Sequence, residues 1–223
     1  VRDVVAIDGP AGAGKSSVSR GVARRLGYRH VDTGAMYRVI GLLARERGID
    51  AADAAALADL CDQTEIEFDD AGGETRVLAA GRDVSAAIRT AEAGQWASRV
   101  SAVPAVRQRL VARQQLLAAG GRVVMEGRDI GTVVLPAAGL KIFLDASPRE
   151  RARRRAAELE GRGEPADLEG MTREIEERDA RDRGRAHSPL RAADDAVSID
   201  STGLALAVVI DDIVQLARER LIP

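Results

Sequence analysis

Asparagine occurs nowhere in the 223 residues, and lysine occurs only at Lys15 and Lys141. The first absence excludes the Asn-Lys-x-Asp motif with which GTPases read guanine. The second leaves arginine as nearly the whole basic complement, and arginine is the planar, bidentate binder of phosphate. Aromatic residues make up 2% of the chain, too few for a surface of stacking platforms for single-stranded nucleic acid. Neither sign of charge is in excess: 33 basic residues against 35 acidic ones give a formal net charge of −2. A chain that lives on nucleic acid is usually basic, so no nucleic-acid partner is expected. Cys61 is the only cysteine, which rules out an intrachain disulfide and points to a reducing cytoplasm. With only His30 and His187 beside it, no metal-ligand cluster of Cys and His is in prospect, and all three read as structural or incidental. No apolar run reaches the ~18 residues of a membrane span. No signal-peptide pattern fits the opening Val1-Arg-Asp-Val-Val-Ala-Ile-Asp8. No long heptad seam points to a coiled coil, so a monomer is the default expectation.

Apolar residues make up 45% of the chain, enough for one core with a small inserted lobe. Val4–Ile7 is a short β-branched run that ends in Asp8 and a Gly-rich turn, the pattern of a buried parallel strand. Further core strands are expected at His30–Val31, Val123–Met125, Leu140–Leu144 and Val197–Ile199, with helices between them. Residues 63–90 change character. Glu65–Phe68 and Thr75–Leu78 alternate like strands around a Gly-Gly turn, and Val84–Ile88 is expected to continue the same small sheet. The expectation is an α/β fold of three layers, a parallel sheet covered by helices, of the P-loop NTPase kind. Its core comprises residues 1–62 and 91–223, with a β-rich insertion at 63–90 and a helical lid at 148–166.

The strongest local signal is Gly9-Pro10-Ala11-Gly12-Ala13-Gly14-Lys15-Ser16-Ser17, which fits G-x-x-x-x-G-K-[ST]. Glycines let the backbone wrap phosphates closely, with amide N–H groups turned toward the anion. The helix opening at Lys15 adds its positive end. Lys15 is placed to reach the β and γ phosphates and Ser16 to hold Mg²⁺. The motif follows a strand and opens a helix, the context that separates it from a chance Gly-rich turn. Alone it does not choose between kinase, motor and ATPase.

Four more segments follow in order: Asp32-Thr-Gly-Ala-Met-Tyr-Arg38, Glu126-Gly-Arg-Asp-Ile-Gly-Thr132, Lys141-Ile-Phe-Leu-Asp-Ala146 before an arginine-rich helix, and Arg178-Asp-Ala-Arg-Asp-Arg-Gly-Arg185. Together with the Gly-rich loop, the set resembles the bacterial cytidylate kinases over nearly the whole chain. It departs from them little: Thr33 stands where some members carry Ser, and Glu126 where others carry Asp. The resemblance implies a kinase that takes ATP with Mg²⁺ and phosphorylates CMP and dCMP. It implies that Thr33, Arg38 and Arg128 hold the acceptor phosphate. Arg178, Asp182 and Arg185 would meet the acceptor's ribose and phosphate, and Ser98, Arg107 and Asp129 would read the base with Tyr37 packed nearby. On the lid helix, Arg151, Arg154 and Arg155, with Arg162 just beyond, would close over the ATP phosphates. A plainer account of Arg151–Arg155 is a solvated, salt-bridged helix face. A plainer account of Arg178 and Asp182 is an i,i+4 ion pair. A kinase for UMP, AMP or a metabolite such as shikimate remains open at this point, as does a non-catalytic P-loop regulator.

Overall fold

The computed structural model describes residues 3–69, 75–161, 163–184 and 188–221. In chain order the elements are β1 (Val4–Asp8), α1 (Lys15–Leu26), β2 (Arg29–Asp32), α2 (Thr33–Glu46) and α3 (Ala54–Gln63). A β-rich stretch follows with β3 (Ile66–Asp69), β4 (Arg76–Ala79) and β5 (Arg82–Asp83), then α4 (Ala91–Val100) and α5 (Pro104–Ala118). Next come β6 (Val123–Gly127), β7 (Leu140–Asp145), α6 (Pro148–Glu160), α7 (Leu168–Arg183), β8 (Val197–Asp200) and α8 (Leu206–Leu221). The chain divides into two units, residues 1–30 with 118–223 and residues 31–117.

The first unit is built on a five-stranded sheet of order β2-β6-β1-β7-β8, which β2 enters through Arg29 and His30. β1 runs parallel to β6 with Val4 opposite Val123 and Asp8 opposite Gly127, and parallel to β7 with Val5 opposite Leu140. Every residue of β1 and β6 is buried. That is why their sequences lack alternation: a central parallel strand is covered on both faces. Val18 and Val22 of α1 and Ile213 and Val214 of α8 pack with Val5 and Ile142 of the sheet. This is the expected three-layer α/β fold of the P-loop NTPase kind, a parallel sheet covered by helices.

The second unit gathers α2–α5 around Met36, Ile40, Leu57, Leu60 and Leu110, with the antiparallel sheet β3-β4-β5 beside them. α2 and α4 touch backbone to backbone. A Cβ built on Gly41 would lie 2.8 Å from Trp96 Cβ and 3.0 Å from its carbonyl carbon.

Local chemistry sets several ends. Val84–Ile88 does not continue the small sheet as a strand: Ser85 Oγ accepts the Val77 amide at 2.9 Å, which ends the ladder, and a 3₁₀ turn follows at Ala87–Arg89. α7 starts at Leu168, where Asp167 caps it through Gly170 N. A π-helical turn at Ile130–Val134 has no counterpart in the sequence reading.

Candidate active site

The phosphate loop leaves β1 through Gly9, whose φ is 150° and where a Cβ would stand 1.9 Å from the Leu144 carbonyl oxygen. Only glycine fits that approach. Gly14, at φ 85°, then turns the backbone into α1. Lys15 is buried, and its ammonium donates to the Pro10 carbonyl at 2.6 Å, folded over its own loop. Ser16 Oγ donates to Glu126 Oε2 at 2.9 Å, and His30 Nε2 meets Glu126 Oε1 at 2.9 Å. Burial pushes the Glu126 carboxyl up, but the His30 hydrogen bond, the Lys15 charge and the Ser16 hydroxyl outweigh it and hold the group below its usual range.

Asp8, the last residue of β1, accepts the amides of Ile130 and Gly131, both at 2.7 Å. One carboxylate therefore ties the strand that feeds the phosphate loop to the segment that carries Arg128 and Asp129. Burial raises the Asp8 pKa to about 6 from 3.8, with the Asp129 charge adding and the two amides and Lys15 opposing. A carboxyl with a raised folded pKa contributes stability below the unfolded value and loses it as pH rises through the folded one. Between pH 4 and 7 the parent should therefore lose about 2–3 kcal/mol of unfolding free energy relative to Asp8→Asn, half of it by about pH 5. Urea titrations of both proteins across that range test it, and a constant difference refutes it.

The arginines of α6 divide by burial. Arg154 reaches the phosphate loop: its Nη1 lies 3.4 Å from the Ala13 carbonyl, its Nη2 donates to the Ser201 carbonyl at 2.6 Å, and its Nε pairs with Glu150 at 3.0 Å. Arg155 is exposed, 3.9 Å from Glu174. Arg151 departs from the reading of a lid arginine and equally from that of a solvated face. Its side chain is 1% exposed and forms a two-pronged pair with Asp179 of α7 at 3.1 and 2.5 Å. It also donates to the carbonyls of Ala11 at 3.0 Å and Ala146 at 2.8 Å. Arg162 and Arg185, like His187, lie outside the described residues.

Of the residues assigned to the acceptor, Arg128, Asp129, Arg178 and Asp182 belong to the first unit. Arg128 Nε stands 3.5 Å from buried Asp182, and Arg178 lies one turn before Asp182 on α7. Asp129 is buried at the start of the π-helical turn. Thr33, Tyr37, Arg38, Ser98 and Arg107 belong to the second unit. Thr33 is buried in the first turn of α2, behind the cap that Asp32 provides to Ala35 N at 3.2 Å. The Arg107 guanidinium lies 5.9 Å from the centre of the Tyr37 ring. Arg38 donates to the Ile88 carbonyl at 2.8 Å, close to Gly94 of α4. Ser98 is half-buried on α4, and its carbonyl accepts the Ser101 hydroxyl. The units cut across those groups: Arg128 and Asp129 fall in the first unit, whereas Thr33 and Arg38, and Ser98 and Arg107, fall in the second.

The oxygen donors at the phosphate loop suit Mg²⁺. Ser16 offers a hydroxyl whose proton is already committed to Glu126. Among the described residues no cluster of three or more His, Cys, Asp or Glu side chains could cage a metal. A nucleotide-borne Mg²⁺ needs none, since phosphate and water fill most of its six positions.

A model of the cytidylate kinase family matches residues 5–219. The chain belongs to the cytidylate kinase family. It is 51% identical to the cytidylate kinase of Citrifermentans bemidjiense over 218 residues, 98% of this chain and 94% of the relative. It is 49% identical to that of Symbiobacterium thermophilum over 96% of each chain. An uncharacterized protein from Eubacterium ventriosum shares the fold, with a TM-score of 0.54 at 13% identity and coverage of 99% of this chain and all of that one. As a cytidylate kinase family member the protein is a nucleotide-binding phosphotransferase. No helix of the described residues is long and apolar enough to cross a membrane.

Sequence reasoning missed three partners in this site. Asp8 adjoins the motif yet gave no sign of reaching residues 130 and 131. His30, read as incidental, touches Glu126, and Arg151 owes its burial to Asp179. The i,i+4 spacing of Arg178 and Asp182 was visible in the sequence, whereas these three contacts had no local spacing to reveal them.

Proposed function

We propose that the protein transfers the γ-phosphoryl group of ATP, taken as its Mg²⁺ complex, to the phosphate of CMP and of dCMP. The observation that carries the reading is the Asp8 tie, which gives the donor loop and the Arg128–Asp129 segment one rigid support. Family membership names the acceptor. Transfer between two nucleotides joins two polyanions, so catalysis consists of positioning and charge neutralisation, and the acceptor phosphate, already an oxyanion, needs no general base. In this reading Lys15 and the loop amides hold the β and γ phosphates, and Arg154, Arg155 and Arg162 neutralise the migrating group. Bound Mg²⁺ would add Lewis-acid charge at the same phosphates, held on the protein side by Ser16. Thr33, Arg38 and Arg128 take the acceptor phosphate. Arg178, Asp182 and Arg185 take its ribose and phosphate, and Tyr37, Ser98, Arg107 and Asp129 the base. The β-rich 63–90 insertion serves the acceptor side. The enzyme acts as a cytoplasmic monomer on small nucleotides, with no nucleic-acid or membrane partner. The even charge balance and the single buried Cys61 support that setting.

A coupled ADP-release assay across CMP, dCMP, UMP and AMP tests the acceptor. CMP and dCMP should lead, and equal rates with UMP or AMP would refute the assignment. Asp129→Asn should lower the ratio of kcat/KM for CMP over UMP about tenfold or more. A carboxylate only accepts, so it suits the N4 amine of cytosine and repels the O4 of uracil, while an amide can turn its N–H toward O4. An unchanged ratio, even with both activities reduced, removes Asp129 from base recognition.

We also assign closure over the phosphates to the 148–166 lid, restricted by Arg151. Because Arg151 fastens the first turns of α6 to the Ala11 carbonyl and to α7, the moving part should begin beyond Arg155. In hydrogen exchange, a bisubstrate analogue should add protection over 156–166 and little over 150–155. No added protection anywhere in 150–166 would dismiss the lid.

A further inference from the structure

We propose that His30 is a positioning residue of the phosphoryl-donor site, holding Glu126 so that the Ser16 hydroxyl is turned to receive the nucleotide's divalent cation. The proposal rests on the ATP–Mg²⁺ reading and concerns a side chain that reading leaves unused.

The chain of contacts is short and runs inward. His30 Nε2 to Glu126 Oε1 is 2.9 Å, and Ser16 Oγ to Glu126 Oε2 is 2.9 Å. Both His30 and Glu126 are buried. A serine hydroxyl has one proton and two lone pairs. With its proton directed to Glu126, both lone pairs remain for a cation. With its proton turned elsewhere, one of them is lost or opposed. The direction of that proton depends on where Glu126 keeps its second oxygen. Glutamate has three side-chain torsions, and Ser16 meets one carboxylate oxygen while His30 meets the other, so the imidazole restrains Glu126 from swinging away from Ser16.

The histidine itself is held at a cost. Its Nδ1 is buried with no hydrogen-bond partner among the described residues. An apolar residue at position 30 would remove that unsatisfied nitrogen but would leave the buried Glu126 Oε1 without the His30 donor. The imidazole Nε2–H supplies the one thing an apolar residue lacks, a donor facing the carboxylate.

The test is binding of ADP by calorimetry, with and without Mg²⁺, to the full-length parent, His30→Leu and His30→Gln. Metal-free ADP should bind His30→Leu within about twofold of the parent, while the gain in affinity that Mg²⁺ confers falls about tenfold. His30→Gln, whose amide N–H can still donate to Glu126, should recover most of that gain. In turnover, the half-saturating Mg²⁺ concentration should rise in His30→Leu while KM for CMP stays unchanged. Equal losses with and without metal would mean a merely structural role and overturn the proposal, as would a full Mg²⁺ gain in His30→Leu or no recovery in His30→Gln. If His30→Leu does not fold, imidazole ¹⁵N spectra of the parent decide. The chain has two histidines, so His187→Gln assigns the signals. The His30 Nε2 resonance should move when Mg²⁺ is added to the ADP complex, and an unmoved resonance overturns the proposal. ADP binding involves no acceptor. A protein that fails to phosphorylate CMP yet shows the His30-dependent Mg²⁺ gain would refute the acceptor reading alone.

Discussion

Replacing Lys15 with alanine is expected to lower turnover at least about a hundredfold, the scale on which a preorganised charge at developing phosphoryl charge acts. The ammonium is buried in the phosphate loop and rests on the Pro10 carbonyl at 2.6 Å. Phosphate oxygens entering the loop would offer it a stronger, charged acceptor than that neutral carbonyl. Because the loop's shape is set by Gly9 and Gly14 rather than by the lysine, the variant should fold. Turnover and Tm measured on one preparation separate the two effects. A folded Lys15→Ala protein that turns over near the parent rate would remove Lys15 from the transition state.

Arg151→Met should carry the largest stability cost of a single substitution on α6, about 3–5 kcal/mol. The guanidinium is 1% exposed and Asp179 3% exposed, so removing the arginine leaves a buried carboxylate whose remaining cation among the described residues is the exposed Arg183, 3.9 Å away. The carbonyls of Ala11 and Ala146 lose a donor as well. At about 2–4 °C per kcal/mol for a chain of this size, Tm should fall by roughly ten degrees. Removing both partners in Arg151→Met/Asp179→Leu should return the protein closer to the parent than either single change, since the buried charge is gone. A single Arg151→Met cost under about 1 kcal/mol would mean that water reaches Asp179 and that the pair does not fasten α6 to α7.

Much of the fold was legible because its signals are local. β1, β6 and β7 are short runs of buried β-branched and aliphatic residues, and the helices between them carry their own stops, such as Gly27 in the left-handed region after α1. One error fell where a side chain intervenes in the backbone: Ser85 took the Val77 amide and ended a strand early. Arg151 was misjudged for a different reason. In Arg151-Ala-Arg-Arg-Arg155 nothing distinguishes one arginine from the next, and only the position of Asp179, 28 residues later, selects the one that is buried.

The sequence by itself determined the phosphate loop and the reaction class. The loop's chemistry is made by consecutive backbone amides, glycines and the first turn of one helix, all within nine residues, so composition and order suffice to specify it. The tertiary structure alone decided what braces that loop. Asp8 meets residues 122 and 123 positions away, Ser16 meets Glu126 across 110 positions, and His30 meets Glu126 across 96. Those meetings follow from the strand order β2-β6-β1, which sets the ends of β2, β6 and β1 side by side. Strand order is fixed by how whole faces of the sheet and its helices bury together, a property of the assembled core that no short stretch of the chain encodes.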